Sequence, residues 1–196
     1  MDRIKSTVIA LFLLFAVNVL AAPESVSRSQ SPDKHYRVSV EQTDGRIEYR
    51  IDAVAGGEAL FRLTSSYQPE KGEEDWAYKQ SLDAEVHWRN DSRVVAIEEA
   101  NYRRMGTVLI ARRTADGFSP IPVSAQFLMQ ATHEPWDRGR LFFTGWGNAD
   151  SAILYLGGRL YYQTEKRFEE SGWRFEIDLA QGGKILQQKK GRNSLP

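Results

Sequence analysis

The sequence predicts an all-β, antiparallel fold in an exported chain, and three observations predict it. Apolar and polar residues alternate at period two through most of the chain, Asp-Gly and Gly-Gly pairs punctuate those runs, and a short aspartate-bearing motif recurs at near-equal spacing. A chain of 196 residues, less an apolar leader, leaves one domain's worth of polypeptide, enough to bury a core without covalent staples. Cysteine is absent, which excludes disulfides, thiolate metal sites and a cysteine nucleophile.

Residues 1–21 read as a signal peptide: Arg3 and Lys5 form a basic start, Val8 to Val17 is apolar, and Ala21 and Ala22 supply the small residues of a cleavage site. The stretch from Thr7 to Ala22 includes Asn18 and falls short of the ~20 residues of a spanning helix. Export to the periplasm or beyond, with no stable membrane insertion after cleavage, is therefore expected. Residues 22–30 are polar and serine-rich and read as a flexible linker, and residues 31–196 as a single β-domain.

The first strand runs from Tyr36 through Val38 to Val40, and a second through Ile47, Tyr49, Ile51 and Ala53, with Asp44-Gly45 as the tight turn between them. Gly56-Gly57 turns the chain into a third strand over 59–64. Residues 65–80 carry Pro69, Gly72 and an acidic run and read as a long surface loop. Strands resume over 84–88, 94–97 and 107–111. Between Pro122 and Trp136 the spacing of Val123, Phe127 and Ala131, with Ser124 as N-cap, predicts the one short helix. Strands over 141–144, 152–156, 160–163, 174–179 and 185–188 complete the pattern, the last two joined at Gly182-Gly183.

Three polar motifs lead into strands: Ser31-Pro32-Asp33, Trp88-Arg89-Asn90-Asp91-Ser92, and Trp146-Gly147-Asn148-Ala149-Asp150-Ser151, their aspartates 58 and 59 residues apart. The spacing suggests about three copies of one multi-strand unit. The motifs resemble those of TolB-like and WD40-like propeller repeats and of the prolyl oligopeptidase N-terminal propeller. That resemblance implies meander units like propeller blades, in a compact or open array, with each aspartate closing the turn between the last strand of one blade and the first of the next. The usual glycine after the aspartate is replaced here by Lys34 or serine, and a β-sandwich is the alternative architecture.

The 26 basic and 26 acidic residues balance, leaving no electrostatic footprint for nucleic acid. No Gly-x-Ser-x-Gly occurs, and Ser31-Pro32-Asp33-Lys34 matches Ser-x-x-Lys only where a strand is expected instead of a helix. His35, His87 and His133 lack the spacing that puts two ligands on one face. Glu98 and Glu99, adjacent on a strand, point to opposite faces. Asn148-Ala149-Asp150 lacks the further oxygen donors of a calcium loop. No catalytic residue, metal site or cofactor is assigned.

The positive signal is aromatic. Trp76, Tyr78 and Trp136 fall in expected loops, where a ring offers a stacking face to a sugar or a peptide. These three are the candidate ligand-binding residues, and the expected function is an exported, non-catalytic binding module with a protein or glycan partner. The rival is a small exported hydrolase or metal-dependent enzyme whose site gathers His87 or His133 with Asp75 or Asp137 from separate loops.

Overall fold

The computed structural model describes residues 24–43, 46–56, 58–65, 72, 74–99, 107–148 and 150–191. The leader, the Asp44-Gly45 pair, Gly57 and Ala149 lie outside them. Strands β1 (Glu24–Gln30), β2 (Tyr36–Thr43), β3 (Arg46–Ala53) and β4 (Phe61–Thr64) form a first sheet in that order. Helix α1 (Glu74–Leu82) leads into a second sheet of β5 (Glu85–Trp88), β6 (Val94–Glu98), β7 (Val108–Thr114) and β8 (Gly117–Ile121). Helix α2 (Ala125–Thr132) leads into a third, of β9 (Trp136–Trp146), β10 (Ser151–Tyr162), β11 (Arg167–Asp178) and β12 (Lys184–Lys190). Every neighbouring pair is antiparallel. The all-β reading and the count of three units hold.

Two apolar clusters hold the sheets together. In the first, Val38, Val40, Ile47, Tyr49 and Ile51 of the first sheet meet Val86, Val95, Ile97 and Ala111 of the second, with Ala77 of α1 and Phe118 closing the edge. In the second, Val94, Ala96, Val108 and Ile110 meet Leu141, Leu154, Leu156, Phe175 and Ile177 of the third sheet, with Leu128 of α2. The second sheet is thus covered on both faces. This explains why Val94-Val95-Ala96-Ile97 is an unbroken apolar run: successive side chains of a strand point to opposite faces, and here each face is a core.

The outward face of the first sheet is closed by charge. Arg62 bonds Glu41 and Glu48, and Arg50 bonds Asp52 at 2.9 Å and lies 3.5 Å from Glu41. Arg50, Glu41 and Asp52 are largely withdrawn from solvent, and charges so placed persist only when each meets a partner.

Each recurring aspartate sits in the hairpin between the first and second strands of its own sheet, not between one unit and the next as the resemblance implied. The first two turns are built alike. Asp33 Oδ1 accepts the His35 N–H at 3.0 Å and Asp91 Oδ1 accepts the Arg93 N–H at 2.9 Å. The residues between, Lys34 and Ser92, are left-handed at φ 61° and 57°, which is why glycine is the usual occupant.

The turns also join the units. Ser92 Oγ accepts the Asp33 N–H at 3.1 Å, and the Trp88 indole donates to the Ser29 carbonyl at 2.9 Å. Arg89 grips Asp91 through two nitrogens, at 3.0 and 2.7 Å, and reaches Asp150 of the third unit at 2.5 Å, where Arg112 also binds. Hydrogen bonding from Arg89 is the chief reason that Asp91 and Asp150 titrate below the usual carboxylate range despite partial burial.

Several expectations need correction. Residues 24–30 of the expected linker form β1, paired with β2. The expected loop over 65–80 contains the start of a second helix, α1, so the single-helix reading fails and Trp76 and Tyr78 are helical; Trp136 opens β9. Strand β11 starts at Arg167, seven residues before the expected 174, and takes in Glu169 and Glu170. The expected strands 152–156 and 160–163 are one strand, β10, which passes through Gly157-Gly158 unbroken. Strand β8, unanticipated, carries Pro120 at the sheet edge, where a missing N–H costs no ladder bond. Helix α2 matches its expectation, with Ser124 Oγ accepting the Phe127 N–H at 3.1 Å.

Candidate binding groove

The three candidate aromatics divide between the two cores. Trp76 and Tyr78 on α1 pack against the first cluster, with the Tyr78 hydroxyl 3.5 Å from the Val40 carbonyl, whereas Trp136 packs against the second. They do not gather in one patch. Trp136, however, lines a groove of about 580 Å³ with Pro135, Asp137, Tyr161, Tyr162 and the turn Gln163–Glu165.

The groove exists because of a sheet irregularity. Arg159 pairs with Arg138, but the next residue, Leu160, pairs with Trp136, so β9 carries one extra residue, Asp137, as a bulge. Bulges bend a strand and redirect its side chains. Beyond it the Pro135 carbonyl takes the Tyr161 N–H at 2.8 Å, closing the groove's base. The Trp136 ring is fixed from behind: its indole donates to Thr132 Oγ1 at 2.7 Å, and that hydroxyl donates to the Met129 carbonyl at 2.8 Å at the end of α2.

Charge and stacking set the opposite wall. Asp137 Oδ2 receives Arg159 through Nε at 2.9 Å and Nη2 at 2.6 Å, and the Arg159 guanidinium lies 4.1 Å over the Phe168 ring. Tyr161 leans on Phe168 with centroids 4.8 Å apart, and Arg167 sits 4.4 Å over Tyr162. The rings are therefore held in place by neighbours and present carboxylate, amide and hydroxyl groups beside aromatic faces, the mixture that fixes an oriented polar ligand. Sequence reasoning found Trp136 and missed the two tyrosines. Their adjacency hid them, because neighbours on a strand face opposite ways and only the strand's end lets both line one opening.

Glu134, just before the groove, ties it to the far strands. Its carboxylate accepts from Ser171 Oγ at 2.8 Å and the Trp173 indole at 3.0 Å, and pairs with Lys190. Burial pushes this carboxyl up, but Lys190 and the two neutral donors outweigh it and hold the group below its ordinary range. A depressed folded-state pKa means the stabilisation is present above the unfolded value of about 4.3 and is lost as pH falls through the folded one. Glu134→Gln is expected to lose about 1–2 kcal/mol at pH 7, discounted for the exposed lysine, and to fall less far behind the wild type as pH is lowered to 3. Urea unfolding at both pH values checks this; an equal deficit at pH 3 would show that the charge is not responsible.

The groups of the rival enzymatic reading do not converge among the described residues. Asp137 is held by Arg159, and His133 is the left-handed cap of α2 at φ 57°. His87 stacks on Phe143 at 4.6 Å with Glu85 3.7 Å from its Nε2. The Asp75 side chain lies outside the described residues. Glu98 and Glu99 diverge as expected: Glu98 accepts the Phe143 N–H at 2.9 Å towards the third sheet, and Glu99 accepts Ser65 Oγ of the first. No group of three or more His, Asp or Glu among the described residues is placed to hold a metal ion. No described helix is long and apolar enough to cross a membrane.

No protein-family model, curated protein or solved structure matches the chain. The reading of the groove rests on its own chemistry.

Proposed function

We propose that the chain is an exported, non-catalytic binding module of three blade-like units that holds a glycan segment in the groove of the third. The observation that carries the reading is the meeting of Trp136, Tyr161 and Tyr162 with Asp137, Gln163, Thr164 and Glu165 around one opening. Sugar rings pair an apolar face with a rim of hydroxyls, and aromatic planes beside acceptors and amides complement both. The leader accounts for export, and the meander units with a shared turn support the likeness to blades.

Titration with a panel of neutral and acidic oligosaccharides tests the proposal. Trp136→Ala is expected to weaken the best-bound sugar by about tenfold or more, the scale of one lost stacking and burial contact of 1–2 kcal/mol. Unchanged affinity in both Trp136→Ala and Tyr162→Ala would remove the groove from the function.

A further inference from the structure

The exposed face of the third sheet carries cations that the fold leaves uncompensated. By register Arg138 stands opposite Arg159, and Arg174 opposite Lys189. Like charges directly opposite on neighbouring strands destabilise a sheet. The first sheet has such pairs too, Arg50 opposite Arg62 and Glu41 opposite Glu48, but there the ion pairs described above interlock them. On this face of the third sheet Arg159 is answered by Asp137, while the sheet's Arg167 and Lys190 pair with Glu165, Glu169 and Glu134.

Arg138, Arg174 and Lys189 form no ion pair among the described residues. Arg140, two residues along from Arg138, spreads its guanidinium 4.7 Å over Phe142 with its Nε buried and unbonded. The acids of this face are few and partly engaged: Glu176 accepts from Ser151 Oγ at 2.7 Å, and Glu170 stands across from Arg159. Between the cations of β9 and those of β11 and β12 lies a row without side chains, Gly157 opposite Gly172. Tyr155 lies against Gly172, so closely that a Cβ there would meet its hydroxyl, and leans towards Phe142 at 6.3 Å. Tyr155 is itself buried and tilted 45° to Phe142, so the half-buried Phe142 is the ring this face offers, with cations on both banks across three strand spacings, roughly 14 Å.

We infer that this face binds an acidic polysaccharide, its anionic groups on Arg138, Arg174 and Lys189 and a sugar ring against Phe142. The inference deepens the glycan reading of the groove, on which it rests for the class of polymer, since Tyr161 and Asp137 adjoin both. Phe142 gives a sugar ring a face to rest on, and the interstrand repulsion supplies the demand for anions.

The probes are polygalacturonate, neutral dextran, duplex DNA and anionic phospholipid vesicles, titrated calorimetrically over a salt series. Polygalacturonate is expected to bind, with affinity falling as salt rises, and the other three to bind at least about tenfold more weakly. The triple variant Arg138→Gln, Arg174→Gln, Lys189→Gln should lose about tenfold or more and flatten the salt slope by roughly one per cation. It should also unfold no earlier than the wild type, because the substitutions relieve repulsion; this separates lost binding from lost folding. Trp136→Ala should leave the slope unchanged. Loss of neutral-sugar binding in Trp136→Ala with wild-type polygalacturonate binding in the triple variant would keep the groove and overturn this inference. Equal affinity for DNA, vesicles or dextran would overturn it as well.

Discussion

Phe175→Ala is expected to destabilise the protein by about 3–5 kcal/mol, the range for truncating a fully buried phenylalanine. Phe175 has no exposed surface and lies in the second cluster among Leu141, Leu154, Leu156 and Ile177, with Trp173 stacked 6.4 Å away. Against a typical total of about 5–15 kcal/mol, the loss is a large fraction. The effect should spread beyond the third sheet. Strand β6 sends Val94 and Ala96 into one core and Val95 and Ile97 into the other, so neither core survives if β6 leaves its place. Urea unfolding should therefore show a lower midpoint with an unchanged slope. A loss under about 1 kcal/mol, or a second transition at low urea, would contradict this packing.

The same two-core arrangement marks what the sequence reveals. Alternation exposed β2, β3 and β5 because each carries its apolar side chains on one face only, and the Ser124 cap exposed α2 because capping is a local bond. The spacing of Asp33, Asp91 and Asp150 exposed the three sheets, since each aspartate stands in the hairpin where the first strand of a sheet hands over to the second. What stayed hidden depends on distant partners. Strand β1 reads as linker because Val26 is its one apolar residue among serines and charges; it is kept by pairing with β2 and by the Trp88 indole on Ser29.

Helix α1 left a faint trace, Lys79 in its last turn, which suits the helix dipole. Its apolar residues make no clear stripe, so proline and glycine upstream dominate the local reading. The groove was half legible. A tryptophan beside Pro135 marks an anchored ring, but the bulge at Asp137 is a property of how β9 registers on β10 and has no local signature.

Gly158→Ala should cost on the order of 3 kcal/mol or more, above the usual range for one extra methyl group, because the obstacle is backbone. Gly158 faces Gly139 across the β9–β10 ladder, and a Cβ on it would stand 2.2 Å from the Arg138 carbonyl oxygen and 2.8 Å from the Gly139 Cα. Neither can move unless the strands separate. Separation would undo the pairing that sets the Asp137 bulge next to it, so sugar binding at Trp136 should fall along with stability. Gly147→Ala is the control. Its Cβ would approach the Ser151 hydroxyl at 2.2 Å and a Glu176 carboxylate oxygen at 2.9 Å, side-chain atoms that turn aside at about 1 kcal/mol for the strained hydrogen bonds. If thermal unfolding ranks the two variants equally, the β9–β10 register is not the close glycine-on-glycine contact described, and the groove built on it loses its cause.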